Sequence, residues 1–228
     1  MVDRLQISRR EFLKGSVDIA TSVSSQSGCF FSFIDNAHAI TVMILSRLSS
    51  ELGLTLPSRF EAHHDDAGPS TSTLGLLRYP KHDKNTASSN VGHNKHTDVG
   101  SLTFLLARQW GLQYLSLATQ RWEFIEPRPG HAIINVGDSL RFLSGGELAS
   151  VVHRVVPLRQ TQEEDRYSIA YFLRMNNSDL ITDSTGKTWT AKEWHDFKFN
   201  VFKSPSTLDA SGKVLTGMMV DNEIAVAV

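Results

Sequence analysis

Residues 131–156 read HAIINVGDSLRFLSGGELASVVHRVV, a series of short apolar runs separated by the pairs Gly137-Asp138 and Gly145-Gly146. Short apolar runs bounded by such turn residues are typical of β-strands. The pattern extends outward from this stretch as far as Thr73 and Arg174, with no helical periodicity between the runs. The predicted strands are Leu74–Tyr79, Ser101–Leu106, Leu112–Leu117, His131–Val136, Leu140–Leu143, Val151–Val156 and Tyr167–Leu173. Their close spacing favours a sandwich, a jelly roll or a barrel.

Helices are predicted on both sides of this β-rich region. Apolar residues recur at three- or four-residue steps in Ile34–Leu52, which indicates an amphipathic helix that ends before Gly53. Its apolar positions are Ala37, Ile40, Ile44, Leu48 and Leu52. A short helix is also predicted around Ala191–Phe199, whereas 57–72 and 81–95 are polar and predicted to be loops.

Composition limits the classes of protein that the chain can represent. It has 228 residues, of which 40% are hydrophobic and 21% charged, so a wholly disordered chain is excluded. The net charge of −1 provides no basic field for nucleic acid or an anionic membrane surface. The longest aliphatic run, Ile40–Leu45, is far shorter than the roughly 20 residues that a membrane span needs. The single cysteine, Cys29, excludes an intrachain disulfide and a multi-cysteine metal site.

The segment Ser8–Lys14, SRREFLK, is similar to a twin-arginine export signal. Such a signal must be followed by an apolar stretch and a cleavage site with small residues. The residues that follow, 15–27, are polar and include Asp18. We therefore expect a cytoplasmic protein, in which the arginine pair belongs to a solvated helical turn.

Three His-x-Asp pairs are candidates for metal ligation, because this spacing places both side chains on one face of an extended strand. They are His63/Asp65, His64/Asp66 and His96/Asp98. The first two pairs lie in a stretch rich in proline, glycine and serine, where a surface loop is the simpler interpretation. The third pair leads directly into a predicted strand.

His153 lies within the apolar strand Val151–Val156 and is a third candidate ligand. Two histidines and one carboxylate on neighbouring strands form the facial triad of non-haem Fe(II) oxygenases, which leaves coordination positions open. His96, Asp98 and His153 could form such a triad. The alternative is that His153 is a core histidine bonded to a backbone carbonyl. A closed zinc site would need more cysteine or histidine ligands.

Arg166 and Ser168 open the last predicted strand and share one face of it. A guanidinium beside a hydroxyl inside a β-barrel is suited to bidentate binding of a carboxylate. The alternative is an edge-strand arginine paired with a surface acid, for which Glu163, Glu164 and Asp165 are available.

Together these stretches resemble the 2-oxoglutarate- and Fe(II)-dependent oxygenases of the isopenicillin N synthase-like superfamily, especially those of fungal secondary metabolism. The similar stretches are HTDVGSLTFLL (96–106), GLQYL (111–115), WEFIEPRPGHAIINVGDSLRFLSGGELASVVHRVV (122–156) and RYSIAYFLR (166–174). The resemblance implies a mainly β fold with flanking helices around a double-stranded β-helix (jelly-roll) core. We expect this core at 73–175, between an N-terminal helical and loop segment, 1–72, and a C-terminal extension, 176–228.

The resemblance also implies roles for individual residues. His96, Asp98 and His153 match the iron ligands of the family, and Arg166 and Ser168 match the pair that binds the distal carboxylate of 2-oxoglutarate. Tyr79 matches the tyrosine of an Asn-x-Tyr motif that contacts this co-substrate, although Leu77 stands at the asparagine position.

The implied activity is oxidation of a C–H bond of a small organic molecule, as in hydroxylation, desaturation or ring rearrangement. Fe(II) is the implied cofactor, 2-oxoglutarate and O₂ are the co-substrates, and ascorbate is expected to help in vitro. Two alternatives remain open. The chain could be a truncated, inactive family member that binds a metal or a partner, or an oxidase that uses the iron site without 2-oxoglutarate.

Members of this family are commonly longer at the N-terminus, where additional strands extend the larger sheet. An uncovered sheet edge exposes unpaired backbone groups and recruits other chains. We therefore expect Met1–Phe33, a second copy of the chain or another partner to cover this edge.

Overall fold

A computed structural model describes residues 3–8, 27–66, 68–81, 94–159, 161–203 and 213–218. The strands in these residues are β1 (Asp3–Ser8), β2 (Thr73–Tyr79), β3 (Leu102–Ala107), β4 (Leu112–Leu115), β5 (Trp122–Phe124), β6 (Ile133–Val136), β7 (His153–Val155), β8 (Arg166–Leu173), β9 (Leu180–Thr182) and β10 (Thr188–Thr190). The α-helices are α1 (Ser27–Glu51), α2 (Asp138–Leu143) and α3 (Ala191–Lys203), and a 3₁₀ helix spans Phe60–His63. The predicted loop at 57–72 thus contains a helical turn, and 82–93 of the second predicted loop lies outside the described residues.

Two antiparallel sheets face each other around a cavity. The larger sheet has the strand order β1-β2-β8-β3-β6, and the smaller sheet has the order β5-β4-β7. Tyr79 of the larger sheet packs with Leu112 and Val155 of the smaller sheet in one apolar cluster. Because successive side chains of a strand point to opposite faces, alternate residues of β2, β3, β4, β7 and β8 line the space between the sheets.

Helix α1 covers the outer face of the larger sheet. Its buried stripe consists of Ile34, Ala37, Thr41, Leu45 and Ser49. This stripe differs from the predicted one, since Ile40 and Leu52 are 36% and 39% exposed. The two polar residues of the stripe can be buried because they are hydrogen-bonded: Thr41 donates to the Ala37 carbonyl at 2.8 Å, and Ser49 donates to Glu61 at 2.8 Å. Hydrogen-bonded hydroxyls can be buried at little cost, and apolarity alone does not identify them.

The same helix is long and apolar enough, over Gly28–Glu51, to cross a membrane by the criteria of length and composition. The segment is therefore apolar over a longer stretch than the aliphatic run Ile40–Leu45 alone indicates. A core helix that packs on a sheet meets the same criteria, and α1 packs with Leu74 of β2 and Tyr171 of β8.

The segment Leu140–Leu143 is helical, so the strand predicted there is wrong. Gly137 is extended at the start of α2, and Asp138 lies in its first turn, where a negative charge is favourable. Gly145 and Gly146 follow with φ angles of +61° and +91°, which glycine adopts readily at the end of a helix. The pairs Gly137-Asp138 and Gly145-Gly146, which predict turns between strands, also occur at the two ends of a short helix.

The edge of the larger sheet is covered by a strand from within Met1–Phe33. β1 pairs antiparallel with β2 over the register Asp3↔Arg78 to Ser8↔Thr73. On its other side β2 pairs with β8. Of the expected ways to cover β2, the structure shows pairing with the chain's own N-terminal segment, and β1 becomes the outermost strand of the sheet. Residues 9–26, which include most of the arginine-containing motif, lie outside the described residues.

Candidate metal centre

His96, Asp98 and His153 converge at the cavity between the two sheets. Asp98 Oδ1 lies 3.7 Å from His96 Nε2 and 3.7 Å from His153 Nε2. One ligand atom from each residue lies within 4.8 Å of the others. The cavity has a volume of about 280 Å³ and is lined by residues of both sheets and of α3. Two imidazoles and one carboxylate at this separation fit a divalent metal ion that keeps further positions open.

The orientation of both imidazoles is fixed by backbone carbonyls. His96 Nδ1 lies 2.7 Å from the Asn94 carbonyl oxygen, and His153 Nδ1 lies 3.1 Å from the Val151 carbonyl oxygen. Since a carbonyl can only accept, Nδ1 donates a proton to it in each histidine, and Nε2 is the nitrogen that faces Asp98 and can bind a metal. Metal-binding histidines commonly make such a bond through the nitrogen that does not bind the metal.

The carboxylate of Asp98 is held by two polar side chains on neighbouring strands. Its Oδ2 accepts hydrogen bonds from Thr103 Oγ1 at 2.5 Å and from Asn135 Nδ2 at 2.8 Å, while Oδ1 faces the histidines. Burial raises the pKa of Asp98, but the His153 and His96 imidazoles and these two hydrogen bonds outweigh burial, so the pKa lies below its usual range. The carboxyl group is therefore ionised and ready to bind a cation.

Thr103 and Asn135 were not identified from the sequence as site residues. The available signal is Asn135 itself, a polar residue inside the apolar strand Ile133–Val136. Because β3 pairs with β6 and Thr103 lies opposite Asn135, both side chains reach Asp98 from one face of the sheet.

Arg166 lies in the same cavity and is 3% exposed. Its Nε donates to the Trp110 carbonyl at 3.1 Å, whereas its buried Nη1 has no hydrogen-bond partner among the described residues. Burial lowers its pKa, and contact with Tyr79 opposes the shift. A buried guanidinium with an unpaired donor is costly unless a ligand pairs with it. An anionic group such as a carboxylate fits this position.

The surroundings of Arg166 support a binding role over a surface ion pair. Tyr79 lies opposite Arg166 in the β2–β8 register, and its ring centroid is 4.9 Å from the guanidinium carbon. A Cβ at Gly111 would lie 3.1 Å from Arg166 Nε, so glycine provides the space for this side chain. Arg78 Nε donates to Asp165 Oδ2 at 2.9 Å, so this acid pairs with Arg78 and not with Arg166. Ser168 is buried on the cavity face of β8, two residues beyond Arg166.

The other histidine–acid pairs are not part of this site. The His64 imidazole is buried, with Nδ1 2.8 Å from the Phe60 carbonyl and Nε2 2.8 Å from Ser101 Oγ. His63 Nδ1 lies 3.0 Å from Asp179. These contacts give both histidines a structural role.

Comparisons with known proteins agree with this geometry. A profile of the 2OG-Fe(II) oxygenase superfamily matches residues 70–175. The 2-oxoglutarate-dependent dioxygenase frbH of Dothideomycetidae sp. (strain 11243) is 49% identical over 217 residues, which cover 95% of this chain and 67% of frbH. The 2-oxoglutarate-dependent dioxygenase iboH of Amanita muscaria (strain Koide BX008) is 51% identical over 193 residues, which cover 83% of this chain and 92% of iboH.

The fold is also that of a solved structure. A full-length Neurospora crassa protein, crystallised in complex with alpha-KG, has a TM-score of 0.68 and 23% identity over 90% of this chain and 66% of that chain. The chain belongs to the 2OG-Fe(II) oxygenase superfamily. The family and the jelly-roll fold class predicted from the sequence are thus confirmed. The chain spans about two thirds of the length of frbH and of the Neurospora protein.

Proposed function

We propose that the chain is an Fe(II)- and 2-oxoglutarate-dependent dioxygenase that oxidises a C–H bond of a small organic molecule in secondary metabolism. The observation that carries the proposal is that a His-Asp-His cluster and a buried arginine with an unpaired donor line one cavity. When bound, the iron and 2-oxoglutarate would supply the oxidative chemistry, in which 2-oxoglutarate is converted to succinate and CO₂ as O₂ is consumed.

His96, Asp98 and His153 would bind the metal ion from one side. The hydrogen bonds at each Nδ1 keep both Nε2 atoms directed at the ion, and the bonds at Asp98 Oδ2 keep Oδ1 free for it. Such support increases metal affinity and fixes the geometry of the ligands.

Arg166, Ser168 and Tyr79 would hold the distal carboxylate of 2-oxoglutarate. Arg166 Nη1 supplies a charged donor, and Ser168 lies on the same face of β8. Charge-assisted hydrogen bonds of an arginine to a carboxylate fix position as well as adding affinity.

The remaining wall of the cavity near Arg166 is apolar and would limit the access of water. It includes Leu77, Leu105, Leu112, Ile133 and Val155. An apolar lining strengthens the electrostatic interactions inside the site and limits side reactions with solvent.

The two alternatives receive less support. An inactive relative would be free to lose ligands or co-substrate residues, yet the three ligands converge and Arg166 keeps its cavity. An oxidase that needs no 2-oxoglutarate would need Arg166 only if its own substrate carried an anionic group, whereas the dicarboxylate 2-oxoglutarate always supplies one. Both observations favour the dioxygenase.

Succinate formation tests the proposal. The purified chain, supplied with Fe(II), ascorbate, O₂ and 2-oxoglutarate, is expected to release succinate, and more of it in the presence of a true substrate from a metabolite panel. The Arg166→Gln variant is expected to need a much higher 2-oxoglutarate concentration for the same succinate release, whereas Arg78→Gln, at an exposed position of β2, should not. Absence of succinate from metal-loaded protein across the panel would favour the inactive alternative.

A further inference from the structure

A second buried arginine lines the cavity, at the opposite end of β8 from Arg166. Arg174 follows β8 directly and is 7% exposed. Residues 166, 168, 170, 172 and 174 all line the cavity, as expected for alternate positions of one extended segment. Arg174 ends the stretch RYSIAYFLR (166–174), but the proposed activity assigns it no role.

The guanidinium of Arg174 is only partly satisfied by the protein. Nη1 donates to the Thr71 carbonyl, and Nε is buried without a hydrogen-bond partner among the described residues. In a guanidinium, Nε–H and Nη2–H form a fork on one edge, which matches the two oxygens of a carboxylate. With Nη1 engaged, this edge of Arg174 is the one suited to a bidentate ligand.

The charges in the cavity leave Arg174 unbalanced. The charged side chains among the described lining residues are Asp98, Arg166 and Arg174. A divalent metal with the Asp98 carboxylate carries one positive charge, and dianionic 2-oxoglutarate with Arg166 carries one negative charge. These cancel, so Arg174 remains as one buried positive charge. A buried charge without a partner is strongly unfavourable, and an anionic ligand would remove this cost. Burial lowers the pKa of Arg174 to about 10, so the group is still a cation at neutral pH.

Aromatic side chains surround the guanidinium of Arg174. Its Cζ atom lies 5.4 Å from the ring centroid of Phe172 and 5.6 Å from that of Phe199. Phe202, also on the cavity wall, packs edge-on against His96 with ring centroids 5.3 Å apart. The space between Arg174 and the metal ligands is therefore bounded by apolar rings, which suit an apolar body attached to the anionic group.

We propose that Arg174 binds a carboxylate of the primary substrate, so that the substrate is a small organic acid with an apolar body. The inference rests on the proposed function and names the substrate class for it. The substrate is then held between two anchors: its carboxylate at Arg174 and its reacting carbon near the metal ligands, with 2-oxoglutarate at Arg166.

The backbone of Arg174 provides an alternative, purely structural role. Its N–H donates to Ser72 Oγ at 2.9 Å, and its carbonyl accepts from the same hydroxyl at 3.1 Å. These contacts do not depend on the side chain. A substitution at Arg174 preserves them but removes the bond from Nη1 to the Thr71 carbonyl. A structural defect would also lower the affinity for 2-oxoglutarate, so that affinity is measured beside the binding of the acids.

Matched acids and amides test the inference by binding rather than by turnover. The probes are phenylacetate, 3-phenylpropionate and 4-phenylbutyrate, each with its uncharged amide, titrated calorimetrically into the chain loaded with Mn(II) and 2-oxoglutarate. We expect at least one acid to bind tenfold or more tightly than its amide. In Arg174→Gln this ratio should fall close to one, with the affinity for 2-oxoglutarate unchanged. In the control variant Arg154→Gln, whose arginine contacts Gln113 and Trp122, the ratio should be retained.

The outcomes separate this inference from the proposed function. If no acid binds more tightly than its amide, or if Arg174→Gln keeps the preference, the assignment of Arg174 is wrong. If Arg174→Gln weakens the binding of 2-oxoglutarate and not that of the acids, Arg174 binds the co-substrate and the inference is again wrong. If the unmodified chain loaded with Mn(II) does not bind 2-oxoglutarate at all, the proposed function fails, whatever the acids do.

Discussion

Lys198 of α3 and Asp138 of α2 form a fully buried ion pair next to the segment that carries the proposed metal ligands His96 and Asp98. Lys198 Nζ also donates to Thr97 Oγ1 at 2.7 Å, and Thr97 stands between the ligands His96 and Asp98 in the chain. Asp138 in turn donates its backbone N–H to the Asp98 carbonyl at 2.8 Å. The pair thus connects the C-terminal helix to the turn that carries two of the three ligands.

Removal of one partner of this pair should destabilise the fold. In Lys198→Met the Asp138 carboxylate stays buried without its cation, and breaking a buried pair in this way costs about 3–5 kcal/mol. Lys192→Met, on the exposed side of α3, removes a surface pair with Asp196 and should cost at most about 1 kcal/mol. Urea unfolding of both variants measures the two losses. Equal, small losses in the free energy of unfolding would show that the buried pair contributes no more to stability than the surface pair.

Substitution of Arg166 by lysine should weaken the co-substrate site selectively. Lysine keeps the charge but lacks the planar fork, so we expect the 2-oxoglutarate concentration at half-saturation to rise by about tenfold or more. Fe(II) binding should not change, because Arg166 contacts no ligand atom. Arg78→Lys, at an exposed pair with Asp165, is the matched control. Unchanged half-saturation in Arg166→Lys would leave the arginine without a role in co-substrate binding.

Asn135→Ala should reduce the affinity for the metal without removing a ligand. The substitution deletes the 2.8 Å hydrogen bond to Asp98 Oδ2, so the carboxylate is less well oriented. Loss of such a supporting contact typically lowers metal affinity by about 10- to 100-fold. Anaerobic Fe(II) titration measures the change, with Asn36→Ala on the exposed face of α1 as the control. Equal affinities in the two variants would contradict the supporting role of Asn135.

Acid should destabilise the protein through His64. Burial lowers the pKa of His64 to about 3, whereas an unfolded histidine titrates near pH ~6.5. Between these values the unfolded chain binds a proton that the folded chain does not, so stability falls as the pH drops below ~6.5. The contribution is about 1.4 kcal/mol per pH unit. His195, with a pKa lowered to about 4 by burial, acts in the same direction.

The His64→Gln variant isolates this contribution. Its free energy of unfolding, measured in urea at pH 7 and pH 5, should depend less steeply on pH than that of the unmodified chain. His131→Gln, at an exposed position, should leave the dependence unchanged. Parallel pH dependences in His64→Gln and the unmodified chain would show that His64 is not the group responsible.

The sequence predicts those parts of the site that are set by short spacing within a strand. The i, i+2 spacing of His96 and Asp98, and of Arg166 and Ser168, places each pair on one face. His153 is conspicuous as a polar residue in an apolar strand. The larger strands are likewise predictable from their apolar runs, because these alternate with clear turn residues.

The residues that support the site are set by pairing between distant segments, which the sequence pattern does not contain. Asn135 and Thr103 meet at Asp98 only because β3 pairs with β6. Lys198 would be assigned to a solvated helix face from its charge, and its burial depends on Asp138 in a different helix. The apolar pattern of α1 predicts the wrong stripe for a related reason, since Thr41 and Ser49 are buried and hydrogen-bonded, which composition does not show.

The most direct test of the central claim is anaerobic titration of the purified chain with Fe(II). The account predicts one metal site in the unmodified chain and loss of this site in each of His96→Ala, Asp98→Ala and His153→Ala, because two remaining ligands cannot form the facial arrangement. His63→Ala and His64→Ala should still bind Fe(II). Loss of binding in the His63 and His64 variants, with binding retained in His96→Ala, would contradict the assignment of the metal centre.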